Sequence, residues 1–164
     1  GRDKNKPLSI QGADVRHLDD VAVVTPDIEK LAAEFWPGPL TMVMQRVKGG
    51  NLSPQVNQLN DSIGVRIPAH PLALKVLADF GAPLAVPSAN LAGEPPALTA
   101  DEAQEVFGDK VSVYLENMDE DVQVDVQTEV QGQASTVVDM TSEAPKILRQ
   151  GSITEDDIQR VLEA

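Results

Sequence analysis

A single-domain α/β fold is what this sequence predicts, on three observations. Residues 63–96 read strand, helix, strand and then a polar break. The 164 residues have the length of one domain, and a domain of that size buries roughly 70% of its extended-chain surface. Hydrophobic residues make up 41% of the chain but aromatics only 3%. The core must therefore be aliphatic, with Trp36, Tyr114 and three phenylalanines as its large rings, which suits layered strands and helices.

Arg2, Lys4, Lys6 and Pro7 open the chain in a polar, turn-forming context before Leu8 and Ile10, which begin a strand. This basic cluster reads as a solvated surface, with a seat for a small anion as the alternative. Thr25 and Pro26 introduce a helix whose stripe of Ile28, Leu31, Ala32 and Phe35 is core. Pro37-Gly38-Pro39 stops it, and residues 40–47 follow as a strand burying Leu40, Met42 and Met44 on one side. Thr41 on that strand is either an ordinary strand threonine or a site residue. Residues 48–61, rich in glycine and asparagine, lack a period, and a mobile loop is expected.

The central stretch comes next. Ile63, Val65 and Ile67 alternate with Gly64 and Arg66, giving one apolar face and one face with a guanidinium beside a glycine. Pro68 ends that strand. Pro71, Leu72, Leu74, Val76, Leu77 and Phe80 have near-helical spacing, and Gly81 is suited to stop the helix. A return strand over residues 83–87 leads to Ser88 and Asn90, at the carboxyl end where open α/β sheets bind ligands. The pattern alone leaves alternatives: Arg66 as a solvated edge-strand arginine, Ser88 and Asn90 as turn residues bonding local backbone.

Thr99 with Glu102 makes a capping box for a helix that buries Ala103, Val106 and Phe107 and closes at Gly108. Residues 111–115 read as a strand, and residues 116–129 as an exposed acidic hairpin or loop. Two further strands, 135–140 and 146–149, precede a final helix capped at Thr154, with Ile158, Val161 and Leu162 turned inward.

The net charge of −13 argues against a general nucleic-acid binder, an activity that rests on lysines and arginines displacing counterions. Residues 101–129 hold ten carboxylates against Lys110 alone, so most of that charge is concentrated there. The absence of cysteine removes disulfides, thiolate metal sites and a thiol nucleophile, and is compatible with a reducing compartment. No run approaches the length of a membrane-spanning helix. There is no phosphate loop of the GxxxxGKS type and no HExxH, and the only histidines are His17 and His70. Covalent nucleophilic or protein-held zinc chemistry is thus poorly supported. A reaction driven by positioning and charge neutralisation needs only arginines, hydroxyls and amides, which the chain supplies.

GVRIPAHP, PSANLAGEPPALT, STVVDMT and ILRQGSIT occur in that order, preceded by GRDKNKPL and PGPLT. The set resembles the YrdC-like family of threonylcarbamoyl-AMP synthases along nearly the whole chain, with an interruption at residues 116–133. The resemblance implies a YrdC-like twisted mixed open sheet with flanking helices, in one domain over residues 1–164 that lacks the family's N-terminal segment. It implies synthesis of threonylcarbamoyl-AMP from ATP, L-threonine and bicarbonate, with pyrophosphate released, for threonylcarbamoyladenosine modification of tRNA. Arg2 and Arg66 would be catalytic. Arg2, Lys4, Ser62, Ser88, Asn90, Pro96 and Arg149 would line ATP, while Ser9, Arg66, the Val86 backbone and Ser135 would hold threonine. The family's lysine paired with Arg2 would fall just before Gly1, and Ser9 stands where a histidine is frequent. Magnesium is expected with the triphosphate, with no protein metal site. The implied setting is cytoplasmic, without membrane and with weak or no direct tRNA binding, upstream of the proteins that transfer threonylcarbamoyl to tRNA. Two other readings share the fold: an RNA-binding module, which the acidic balance disfavours, and a carbamoyl-transfer domain of the hydrogenase-maturation type.

Overall fold

The first helix shows how local chemistry sets the elements. The hydroxyl of Thr25 accepts from the Ile28 amide, Pro26 occupies the first turn, and the helix runs over Pro26–Phe35, because proline costs no hydrogen bond at that position. A computed structural model describes residues 7–57, 59–116 and 134–164. Within them the chain forms β1 (Ser9–Gln11), α1 (Pro26–Phe35), β2 (Leu40–Gln45), β3 (Ser62–Arg66), α2 (Pro71–Phe80), β4 (Leu84–Val86), α3 (Ala100–Phe107), β5 (Thr136–Asp139), β6 (Lys146–Arg149) and α4 (Glu155–Glu163). The strands make one mixed sheet in the order β4-β1-β3-β2-β5-β6. β1 pairs with β3 and β2 with β5 in parallel, while the other three pairings are antiparallel.

The period-2 alternation of the strands decides what each sheet face carries. Ile10, Leu40, Met42, Met44, Ile63, Val65 and Val138, all 1% exposed or less, point to one face. There they form a core with Ile28, Leu31 and Ala32 of α1 and Ile158 of α4. Each such aliphatic side chain contributes about 1.5–3 kcal/mol when fully buried, so this face supplies the main driving force. α1 and α4 pack on each other, and Lys30 Nζ donates to the carbonyl of Leu162 across them at 3.1 Å. The residues between the buried ones look the other way, and they make the site.

Most sequence expectations hold, and two are corrected. Residues 111–115 form no strand: Val113 and Leu115 are 64% and 54% exposed, and no sheet edge pairs with them. β-branched residues make a strand only where a neighbouring strand takes their amides. The helix α3 buries no residue fully, Val106 being 40% exposed, and Glu102 accepts from the Leu98 amide in place of that of Thr99, so the box is only half formed. On α2, Leu77 alone is buried and Phe80 is 61% exposed, and Gly81 ends the helix in the left-handed conformation at φ 72° as expected. The described part of 48–61 is built around Asn57, 7% exposed, whose Nδ2 donates to Asn60 Oδ1 and to the Ser62 carbonyl, each at 2.8 Å.

Candidate active site

The face of the sheet away from α1 and α4 is hollowed into a cavity of about 730 Å³. Strand register explains its floor. Leu84, Gln11 and Arg66 lie side by side across β4, β1 and β3, and the row continues through Thr41 on β2 to Val137 and Arg149 on β5 and β6. Ser9, Gly64 and Val43 make the adjoining row, and Gly64 leaves its part of the floor without a side chain. Arg66 and Arg149 therefore face one space from the same row. Among the described residues the lining includes no aspartate or glutamate, in a chain whose net charge is −13. The reading of Arg66 as an edge-strand arginine is excluded, because β3 is an interior strand.

Both guanidiniums are held by backbone. Arg66 Nε donates to the Gly38 carbonyl at 3.0 Å, and the Gly38 amide donates to the Ile67 carbonyl at 2.9 Å, so the turn after α1 is tied to the end of β3. A Cβ on Gly38 would sit 2.3 Å from the Phe35 carbonyl oxygen, which is why only glycine fits. Arg149 donates to the Ser135 carbonyl through Nε at 3.0 Å and a terminal nitrogen at 2.8 Å, and through the latter to Ser135 Oγ at 3.0 Å. The Ser135 hydroxyl is also 2.8 Å from Thr41 Oγ1, and both residues are buried, 6% and 7% exposed. Arg149 as a whole stays open to solvent. Burial of its head first, then the positive charge of Arg66, hold the guanidinium below its ordinary pKa. Two like charges facing one cavity without a carboxylate are an arrangement that an anion relieves.

Of the residues expected at the site, Ser9, Ser62, Arg66, Val86, Ser88, Pro96, Ser135 and Arg149 all line this cavity. Asn90 does not line it: its Nδ2 donates to the carbonyls of Leu91 and Glu94, at 2.8 and 3.0 Å, and shapes the turn that brings Pro96 forward. Arg2, Lys4 and nearly all of the acidic segment 116–129 lie outside the described residues. Gln11, Val43 and Asn57 line the cavity unforeseen, and Thr41 proves to be a lining residue. The signal for Gln11 and Thr41 was the alternation that made Ile10, Leu40 and Met42 core, since their neighbours must face the other way. Asn57, in a segment without periodicity, gave no such signal.

A mixed sheet with one face under helices and the other hollowed around two arginines defines an α/β domain built around a basic cavity. The Sua5/YciO/YrdC family, described as Telomere recombination, matches residues 1–151, and the chain belongs to it. A relative from Mycobacterium tuberculosis is 32% identical over 163 residues, which are 99% of this chain and 70% of its own length. The threonylcarbamoyl-AMP synthases of Bacillus subtilis and Pyrococcus abyssi are 32% and 34% identical, and the chain spans 44% and 45% of their lengths. Among solved structures, Pyrococcus abyssi Sua5 complexed with L-threonine superposes with a TM-score of 0.83 at 33% identity, covering 98% of this chain and 44% of that one. Escherichia coli YciO, at 19% identity and a TM-score of 0.67, shares the fold.

Proposed function

We propose that this chain carries the ATP-dependent synthesis of threonylcarbamoyl-AMP, the activity for which its Bacillus and Pyrococcus relatives are named. The observation that carries the reading is the pair of arginines facing one cavity that, among the described residues, no carboxylate lines. The threonine amine captures bicarbonate to give a carbamate and water. A carbamate oxygen then attacks the α-phosphorus of ATP, and pyrophosphate leaves with the electrons of the broken P–O bond. Since the nucleophile is made from the substrates, the protein needs only to gather anions and hold them in line. Unit charges about 4 Å apart attract by about 4 kcal/mol at an effective dielectric near 20, enough to matter for each guanidinium.

Arg66 suits the threonine carboxylate, with Ser135, Ser9 and the Val86 backbone around the amino acid. Ser62, Ser88, Pro96 and Arg149 suit the nucleotide; Asn90 acts by holding the turn at 91–94, and the family resemblance assigns Arg2 and Lys4, outside the described residues, to ATP. Among the described residues the lining offers magnesium no carboxylate, and the ion would be held by phosphate oxygens and water, with hydroxyls nearby. Among the described residues no helix is long and apolar enough to cross a membrane, and we place the activity in the cytoplasm, before the proteins that transfer threonylcarbamoyl to tRNA. The test is incubation with ATP, L-threonine and bicarbonate, with pyrophosphate as the readout. Release only when threonine and bicarbonate are both present supports the reading. Release driven instead by carbamoyl phosphate would favour the hydrogenase-maturation chemistry, and tight tRNA binding at 0.15 M salt the RNA-binding module.

A further inference from the structure

Arg149 sits at the end of β6, the edge strand of the sheet among the described residues. Such a strand end frays unless something anchors it, and the anchor here is a hydroxyl that faces away from the cavity. Thr136 is fully buried. Its Oγ1 accepts from the Gly151 amide at 3.0 Å and the Ile153 amide at 3.2 Å, and donates to the Ile153 carbonyl at 2.7 Å. One donor and two acceptor sites are all that a threonine hydroxyl has, and all are spent on one turn just after Arg149. The turn lies flat on β5: a Cβ on Gly151 would be 2.4 Å from the Thr136 nitrogen and 2.5 Å from the Ala134 carbonyl oxygen. Gln150 adds a bond from Nε2 to the Ile153 carbonyl at 2.7 Å. The residue before Thr136 is Ser135, whose carbonyl receives both bonds from Arg149.

We propose that Thr136 is a positioning residue for Arg149: its buried hydroxyl clamps the turn at 151–153 onto β5, and so fixes the guanidinium against Ser135 at the nucleotide side of the cavity. The functional half of this statement rests on the reading of Arg149 as a nucleotide contact, whereas the geometric half does not. Thr136→Val keeps shape but leaves the Gly151 and Ile153 amides without their acceptor and the Ile153 carbonyl with Gln150 alone, and the turn lifts. Thr136→Ser keeps the hydroxyl and loses only a methyl group.

The experiment follows the Arg149 Nε–H resonance in 15N-labelled protein and titrates ATP by calorimetry. Thr136→Val is expected to move that resonance to the position of a solvent-exposed arginine, to leave that of Arg66 in place, and to weaken ATP about tenfold, which corresponds to about 1.4 kcal/mol. Thr136→Ser should restore both. Adding Thr136→Val to Arg149→Ala should cost nothing further, whereas a residue that merely supports the fold would weaken ATP additively. An unmoved Arg149 resonance in Thr136→Val, or additive losses, would overturn the proposal. Unchanged ATP affinity in Arg149→Ala would instead overturn the nucleotide role of Arg149, and the resonance would still decide the clamp. Should Thr136→Val not fold, amide exchange in the unaltered protein decides: slow exchange at Gly151 and Ile153 supports the clamp, and exchange at open-loop rates refutes it.

Discussion

Arg66 and Arg149 each commit Nε to a backbone carbonyl, Gly38 and Ser135 respectively, which turns a long flexible side chain into a fixed one. The planar fork makes this possible, because one edge can bind protein while the head still faces the cavity, and an ammonium has no such edge. Arg66→Lys is therefore expected to weaken L-threonine about tenfold or more while ATP changes less than about twofold, since hydrogen bonds to charged groups are worth about 1.5–3 kcal/mol. Calorimetry on the variant checks it, and equal threonine affinity would refute the carboxylate assignment. Thr41 contributes differently. Its hydroxyl meets only Ser135, which also has Arg149 as a donor. Thr41→Val should cost about 1 kcal/mol, lowering the melting temperature by about 2–4 °C. Thermal unfolding of the two proteins side by side reads this, and an unchanged midpoint would mean that the hydroxyl pair adds nothing net.

At the scale of elements, the turns matter more than the strands they join. Gly38→Ala would drive a methyl group against the Phe35 carbonyl and displace the acceptor of Arg66. We expect a loss of about 1–3 kcal/mol in denaturant unfolding, accompanied by weaker threonine binding; a stable variant with normal affinity would show that this turn is free to move. The last helix α4 is started by a reciprocal capping box, Thr154 with Asp157. The bonds from the Thr154 hydroxyl, then its amide, hold the Asp157 carboxyl below its ordinary pKa. A carboxyl lowered on folding stabilises fully above its unfolded value, near 3.9, and loses that contribution as pH falls through the folded value. Amide exchange at the start of α4 should accelerate below about pH 4, and Asp157→Asn should flatten that dependence; no acid acceleration would count against the cap. These elements were legible from sequence where periodicity and caps agreed, as in β2, β3, α1 and α4. The failures share one cause: whether residues 111–115 pair, or α3 buries a side, depends on neighbours that local pattern does not name. The site was legible through its motifs at Arg66, Ser88, Ser135 and Arg149. Asn57 and the Thr136 clamp were not, because their partners become visible only once the strands are in register.

Across the whole molecule, charge is divided between a basic cavity and an acidic remainder. Of the net −13, most comes from residues 101–129, whose carboxylates stand against Lys110 alone, while the cavity lining among the described residues carries arginines and no acid. Such a field favours an anion once it is inside and opposes its approach, so it bears on association rate more than on the bound state. A surface of this sign offers few lysines and arginines to displace counterions from nucleic-acid phosphates. Residues 117–129 can be tested as a source of charge. Changing Asp119, Glu120, Asp121 and Asp125 to the matching amides is expected to raise the ATP association rate by up to about tenfold at 10 mM salt, where the Debye length is about 30 Å. The gain should shrink toward none above 0.15 M, where it is about 8 Å or less. Dissociation should hardly change, because contacts in the cavity set it. Stopped-flow binding at both salt concentrations measures this. A fall in affinity that persists at high salt would instead mean that these carboxylates, through magnesium or directly, help to build the nucleotide site.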